Sequence, residues 1–353
     1  MARYFKSDNT APASPEILQA LSAANDGYAT GYGDDALTAR LDSVLGSFFG
    51  CPVRAFPVAT GTAANSLALA TVVPPWGNIY CHHEAHVIRD ECGAPEFMTG
   101  GARLTLLSGA DGKFSAETLT AALKSNPPSV HTMQPAAITL TQATELGTSW
   151  RDNEIAAVTA VAHAANLSVH MDGARFANAV SFLRCEPADI TWRAGVDVLS
   201  FGATKNGALA AEAVVFFNRS LVRDFELRRK RAAHLFSKMR FLSAQLLAYV
   251  ETGVWKRNAD RANALAQRIA IAAGQTLLHP VEANELFLRV GPEAIAQLRA
   301  QGFQFYDWGR EDSGALRLVV SWDQPDEDVA AITSALKEIR QAPERRSVPH
   351  PHS

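Results

Sequence analysis

Apolar runs of four to six residues recur along the first two thirds of the chain, at 78–81, 104–107, 129–133, 136–140, 167–171, 196–201 and 213–217. Between several of them lie stretches with helical spacing, such as 115–124 and 150–165. Short continuous apolar runs alternating with helices predict an α/β fold: a mainly parallel sheet buried on both faces, with ligands at the C-terminal ends of the strands. Residues 220–250 read as long helical sequence without proline. An alanine-rich helix follows over 258–273 and is ended by Gly274. Strands at 285–290 and 316–320 then alternate with helices at 292–301 and 326–340. The predicted organisation is a large domain over 1–255, a small C-terminal α+β domain over 256–341, and a tail over 342–353 whose three prolines and few apolar residues predict disorder.

Composition narrows the function classes. The 353 residues are 47% hydrophobic and 20% charged, with net charge −3, which gives a large core and no electrostatic footprint for nucleic acid. There is no apolar stretch of about 18 residues to span a membrane. The N-terminus lacks the apolar centre of a signal peptide, so the expected location is the cytoplasm. Cysteines 51, 81, 92 and 185 form no Cys-x-x-Cys pair and read as reduced packing residues. His82, His83 and His86 would share a metal only on a helix, and 78–82 reads as a strand running into a turn. No metal site is expected.

Two residues at strand ends bring chemistry. Asp172 closes the run Leu167-Ser-Val-His-Met-Asp172, with Gly173-Ala-Arg175 as the turn, and Lys205 follows the run 196–201. Taken singly, a lysine after a strand is ordinarily solvated and Asp-Gly is ordinarily a turn. Together they are the pair that pyridoxal phosphate requires: an amine for the Schiff base and a carboxylate to keep a proton on the pyridine nitrogen. A third element lies upstream. In Thr60-Gly-Thr-Ala-Ala-Asn65, Thr60 can cap a helix, Gly61 admits an anion close to the backbone, and Thr62 and Ala63 offer free N–H groups at the positive helix end.

With these pieces in place the chain resembles the L-threonine aldolases, pyridoxal phosphate enzymes of fold type I in the aspartate-aminotransferase-like superfamily. The matching stretches are Phe5-Lys-Ser-Asp-Asn-Thr10, Gly31-Tyr-Gly-Asp-Asp35, Thr60-Gly-Thr-Ala-Ala-Asn65 and Glu84-Ala-His86. Later come Thr141-Gln-Ala-Thr-Glu-Leu-Gly-Thr148, His170-Met-Asp-Gly-Ala-Arg175, Thr204-Lys-Asn206 and Leu316-Arg-Leu-Val-Val-Ser-Trp322. The resemblance implies a seven-stranded sheet with one antiparallel member. It also implies retro-aldol cleavage of L-threonine-like or L-allo-threonine-like β-hydroxy-α-amino acids to glycine and an aldehyde, in a homodimer or homotetramer with shared sites. Lys205, Asp172 and His86 are then catalytic, with His86 stacked on the cofactor ring. Thr60, Gly61 and Thr62 take the phosphate, and Arg175 lies beside the cofactor. Arg317, Arg175, Ser7 and the interface residue Tyr32 serve the substrate. One or two residues of Arg228-Arg-Lys-Arg231, Arg231 among them, reach a neighbour's phosphate; read without the resemblance, that run is a solvated helical face.

The chain departs from the better-known bacterial members at one place, reading Gln142-Ala-Thr-Glu145 where they carry an Asn-Thr-His motif. The base for the β-hydroxyl is therefore left among His86, His83, Thr144 and Glu145, with His86 preferred. Rival functions are a phenylserine aldolase, a β-eliminating lyase or an aminotransferase of the same fold. A catalytically silent binding or regulatory protein is the rival of a different class.

Overall fold

The computed structural model describes residues 2–341 apart from 128, 223, 311 and 312; the predicted disorder of 342–353 falls outside the described residues. Among the described residues twelve strands follow in chain order: β1 Arg3–Tyr4, β2 Arg54–Val58, β3 Gly77–His82, β4 Arg103–Leu107, β5 Gln134–Thr141, β6 Ser168–Gly173, β7 Val198–Gly202, β8 Glu212–Phe216, β9 Glu285–Arg289, β10 Phe303–Gln304, β11 Tyr306–Asp307 and β12 Ala315–Val319. Seven of them form the main sheet in the order β2-β8-β7-β6-β5-β3-β4. β8 runs antiparallel to both of its neighbours, and the other pairs are parallel. The α/β class and the single antiparallel strand are as expected.

The structure differs from the sequence reading at several elements, three of them instructive. β2 was not anticipated, because Pro57 lies inside it. It is an edge strand, where a missing N–H is tolerated. The run 129–133 is not a strand: Thr132 N–H closes a turn onto Ser129 O, and Val130 is 96% exposed, so its β-favouring residues have nothing to pack against. Residues 220–250 are not one helix. They divide into a short turn at Arg219–Leu221, a helix Phe225–Arg231 and a helix Arg240–Glu251, with Ala233 in the left-handed region between the two helices.

Burial explains why the sheet centre holds. Every residue of β3, β7 and β8 is buried, as parallel layers covered on both faces require. The helix Gly61–Val72 is buried from Ala63 to Thr71. It is apolar nearly all round, with small residues that let it sit close against the sheet. A second cluster gathers Phe5, Ile269, Leu286, Leu288, Leu298, Phe303, Leu316, Leu318, Val329 and Ile332. It lies between the sheet β11-β12-β9 and the helices Val254–Ala273 and Asp326–Gln341. β1 pairs in parallel with β10, and Val319 N–H donates to Phe5 O at 2.8 Å. The N-terminal segment is thereby pinned to the C-terminal sheet, which fixes residues 7–9 over the ends of β6 and β7.

Candidate active site

The C-terminal ends of β6 and β7 are drawn together by two glycines. A Cβ on Gly173 would stand 2.7 Å from Ser200 O, and one on Gly202 would stand 2.7 Å from the Ala174 backbone. Neither position accepts a side chain without moving the strands apart. The close approach leaves a cavity of about 340 Å³ lined by residues of the helix start Thr60–Thr62 and by Asn9, Asn65, His86, Asp172, Lys205 and Glu212. Lysine, aspartate, threonine–glycine cradle and histidine, far apart in sequence, thus face one space.

Each is held by buried neighbours. Thr60 caps its helix, its side chain accepting from Ala63 N–H at 3.2 Å. A Cβ on Gly61 would meet nothing within 4 Å, so the first turn opens to the cavity with its N–H groups toward any anion there. Lys205 sits in the turn Thr204–Asn206, whose last residue is anchored. Asn206 Nδ2 donates to Tyr249 Oη and to Trp255 O, and Asn258 donates to Asn206 O at 3.0 Å. No ion pair to Lys205 is formed among the described residues. Glu212 beside it accepts from Ala203 N–H at 3.0 Å, and burial pushes its carboxyl up to about 7.

Asp172 Oδ1 accepts from Ala174 N–H at 3.0 Å, and Oδ2 accepts from Asn65 Nδ2 at 2.9 Å. One layer below, His170 is fully buried between the hydroxyls of Thr139 and Ser200, at 2.7 and 3.0 Å, and burial pushes it down to about 4. It is a neutral floor under Asp172. Asn65 also donates to Glu91 Oε1 at 2.8 Å, and the same oxygen lies 2.8 Å from His86 Nδ1. The hydrogen bond to Glu91 raises the affinity of His86 for a proton against the opposing effect of burial. His86, Glu91 and Asp172 also have the spacing of a metal set, but the Asn65 nitrogen, a donor, bridges the two carboxylates.

A second group of charges flanks the cavity. Arg175 is 5% exposed and gives Nε and Nη2 to the two oxygens of Asp8 at 2.8 and 3.0 Å, while its Nη1 lies 3.2 Å from Glu285. Burial works against the Arg175 charge, but Asp8 and Glu285 more than restore it; burial likewise opposes the Asp8 charge, and Arg175 brings that carboxyl below its ordinary range. Arg317, the other predicted carboxylate partner, is less committed. Nη2 reaches Lys6 O at 3.5 Å, Nη1 is 3.9 Å from Glu285, and the buried Nε has no partner. Ser7 Oγ accepts from Asn9 N–H at 3.1 Å, which leaves its own proton free to donate.

The remaining predicted residues fall elsewhere. Tyr32 is 53% exposed, with Lys230 4.7 Å over its ring, and Arg231 is exposed; neither lines this chain's cavity. Among the candidate bases, the Thr144 hydroxyl is buried and spent on Thr148 and Asp111 O. His83 packs on the His82 ring at 4.1 Å and binds Leu107 O, outside the cavity. The Glu145 carboxylate stays in play, because His86, Arg175 and Glu285 all feel its charge. Sequence reasoning missed Asn9, Asn65, Glu91, Glu212 and Glu285. Glu212 carried a signal, being the single charged residue inside the apolar run 208–217, whereas Glu91 carried none.

Comparison with known proteins agrees with this geometry. Residues 4–291 match the beta-eliminating lyase family model. A low specificity L-threonine aldolase of Pseudomonas aeruginosa is 43% identical over 96% of this chain and 97% of its own length. That of a second Pseudomonas strain is 41% identical over 97% and 99%. The structure of a threonine aldolase from Leishmania major superposes with TM-score 0.89 at 25% identity, covering 96% of this chain and 99% of that one. An N-succinyldiaminopimelate aminotransferase of Mycobacterium tuberculosis, 16% identical with TM-score 0.70, shares the fold. The chain belongs to the beta-eliminating lyase family and, within it, to the threonine aldolases.

Proposed function

We propose that this protein cleaves L-threonine and related β-hydroxy-α-amino acids to glycine and an aldehyde, using pyridoxal phosphate bound at Lys205. The observation that carries the reading is one cavity lined by an amine that has no ion pair among the described residues, a hydrogen-bonded carboxylate and an open helix N-terminus. These residues fit the cofactor: Lys205 for its aldehyde, Asp172 for its ring nitrogen, Thr60, Gly61 and Thr62 for its phosphate, and His86 for the ring face. When bound, the protonated ring supplies a sink for the electron pair released at Cα as the Cα–Cβ bond breaks.

The chain's own residues do the rest. Arg317 takes the substrate carboxylate, since its Nε has no partner and its other donors are held only by long contacts to Lys6 O and Glu285, and Ser7 adds a hydroxyl donor. Arg175 has its donors turned to Asp8 and Glu285, so it acts by holding that cluster in place. His86 Nε2 accepts the β-hydroxyl proton, since Nδ1 is engaged with Glu91. Tyr32 and Arg231, exposed on this chain, are assigned to the neighbouring site of a homo-oligomer.

Product analysis tests the reading against an aminotransferase or an eliminating lyase. The purified protein should absorb visible light and convert L-threonine to equimolar glycine and acetaldehyde. Lys205→Ala should lose both properties. Release of a 2-oxo acid, or normal turnover in Lys205→Ala, refutes the proposal.

A further inference from the structure

Glu91 lies at the junction of the polar network beneath the cavity, and neither its position after a four-residue helix nor its neighbours in sequence mark it. Its side chain is fully enclosed. One oxygen, Oε1, meets both His86 Nδ1 and Asn65 Nδ2 at 2.8 Å, and the same Asn65 nitrogen gives its other proton to Asp172 at 2.9 Å. Four side chains, three of which line the cavity, are thereby locked in one chain of hydrogen bonds. An acid taken out of water in this way is costly unless its charge is used.

We propose that Glu91 is a positioning residue that keeps a proton on His86 Nδ1, so that Nε2 is presented to the substrate as a bare acceptor, and that Asn65 ties this pair to Asp172. The proposal rests on the reading of His86 as the base. The consequence turns on the direction of that bond. Oε1 also accepts from Asn65, and as a carboxylate oxygen it can accept from both nitrogens at once; a neutral Glu91 donating to Nδ1 would force the proton onto Nε2 and leave nothing to accept the hydroxyl proton. The surroundings favour the same arrangement. His86 is faced by Glu91, Asp172 and Glu145, which favour the imidazolium, and by Lys205, which opposes it. Glu91 is raised in turn, burial and the nearby Asp172 outweighing the hydrogen bonds from His86 and Asn65. We place the shared proton on the ring, which three acids and one amine face. The imidazolium formed when His86 takes a proton is then stabilised where it forms.

The test separates positioning from packing. His86 is followed by nitrogen-15 NMR in the cofactor-free and cofactor-loaded protein, with His86→Phe to assign the signal. In the wild type, neutral His86 should carry its proton on Nδ1. In Glu91→Gln, which keeps an acceptor oxygen but loses the charge, the midpoint should fall by about one unit or more. The low-pH limb of kcat should move to lower pH with it, at a reduced plateau, because a weaker base is easier to keep free but accepts protons less readily. Glu91→Asp, which keeps the charge, should restore the wild-type tautomer and part of the shift; it serves also if the amide variant fails to fold. A wild-type proton on Nε2, or a loss of kcat in Glu91→Gln with the His86 midpoint and pH limb unmoved, overturns the proposal. A fully active His86→Phe overturns the base reading itself, and does so even where the NMR signature of the Glu91 bond is as expected.

Discussion

The two sides of the cavity solve the problem of buried charge differently. On the ring side, Asp172 and Glu91 share one neutral amide, and the only cation-capable partner in the chain of bonds is His86. On the carboxylate side, two guanidiniums, Arg175 and Arg317, stand against two acids, Asp8 and Glu285. The first arrangement holds surplus negative charge and so favours a proton arriving nearby, on a ring nitrogen or an imidazole. The second holds its charges in ion contacts before substrate comes, so an incoming carboxylate finds Arg317 open only where Glu285 is neutral. One side is built to hold protons, the other to exchange ion pairs.

The sharpest way to break the ring side is Asp172→Asn. The amide still fits beside Asn65, but it cannot hold a proton on the ring nitrogen by charge. A loss of several kcal/mol at the transition state, about 10³-fold or more in kcat, is expected, while the KM for threonine changes little because the carboxylate side is intact. Steady-state kinetics with cofactor occupancy checked by absorbance measures both. A kcat near wild type would mean that another group faces the ring nitrogen.

Next in size is the base. His86→Phe keeps a flat aromatic ring at this position and removes Nε2, and should lower retro-aldol turnover by about 10²-fold or more. Glu145→Gln should cost less, because Glu145 acts on His86 and Arg175 through its field. Rates for the two variants with L-threonine and L-allo-threonine check the order. An inactive Glu145→Gln beside an active His86→Phe would reverse the assignment.

The same contrast governs what the sequence could tell. Asp172 and Lys205 were readable because each ends an apolar run, and a strand end in an α/β sheet points its side chain at the binding crevice. The cradle was readable from Thr60 and Gly61, a cap and an open turn. Arg317 drew notice because a charge inside Leu316-Arg-Leu-Val-Val is costly without a partner. What pairs with what was not. Glu91 bonds to Asn65, 26 positions away, and Asp8 bonds to Arg175, 167 positions away. Those contacts depend on how helix Gly61–Val72 lies on the sheet and on the pairing of β1 with β10. No local periodicity reports either. The fold misreadings share that cause: Pro57 was admitted because β2 lies at an edge, and the run at 129–133 stayed out of the sheet because nothing covered it.

The smallest expected effect sharpens the carboxylate side. Glu285 is fully buried, neither of its oxygens receives a hydrogen bond, and burial pushes it up to about 7 despite the pull of Arg175 and Arg317. Below that value it is neutral and Arg317 is free for substrate. As pH rises through it, the carboxylate forms and competes for the same guanidinium, so KM for threonine should rise severalfold between about pH 6 and 8. Stability moves in the same sense: over the range between the ordinary glutamate value and about 7, the unfolded chain has released this proton and the native chain retains it, so stability falls with increasing pH and levels off above. Glu285→Gln is neutral throughout. It should flatten the KM profile and remove that part of the stability slope, with kcat nearly unchanged, since the ring side is untouched. KM measured across this range for wild type and variant, beside urea midpoints at the same pH values, makes the check. A Glu285→Gln profile as steep as the wild type would place the titrating group elsewhere and leave Asp8 as the acid that the substrate displaces.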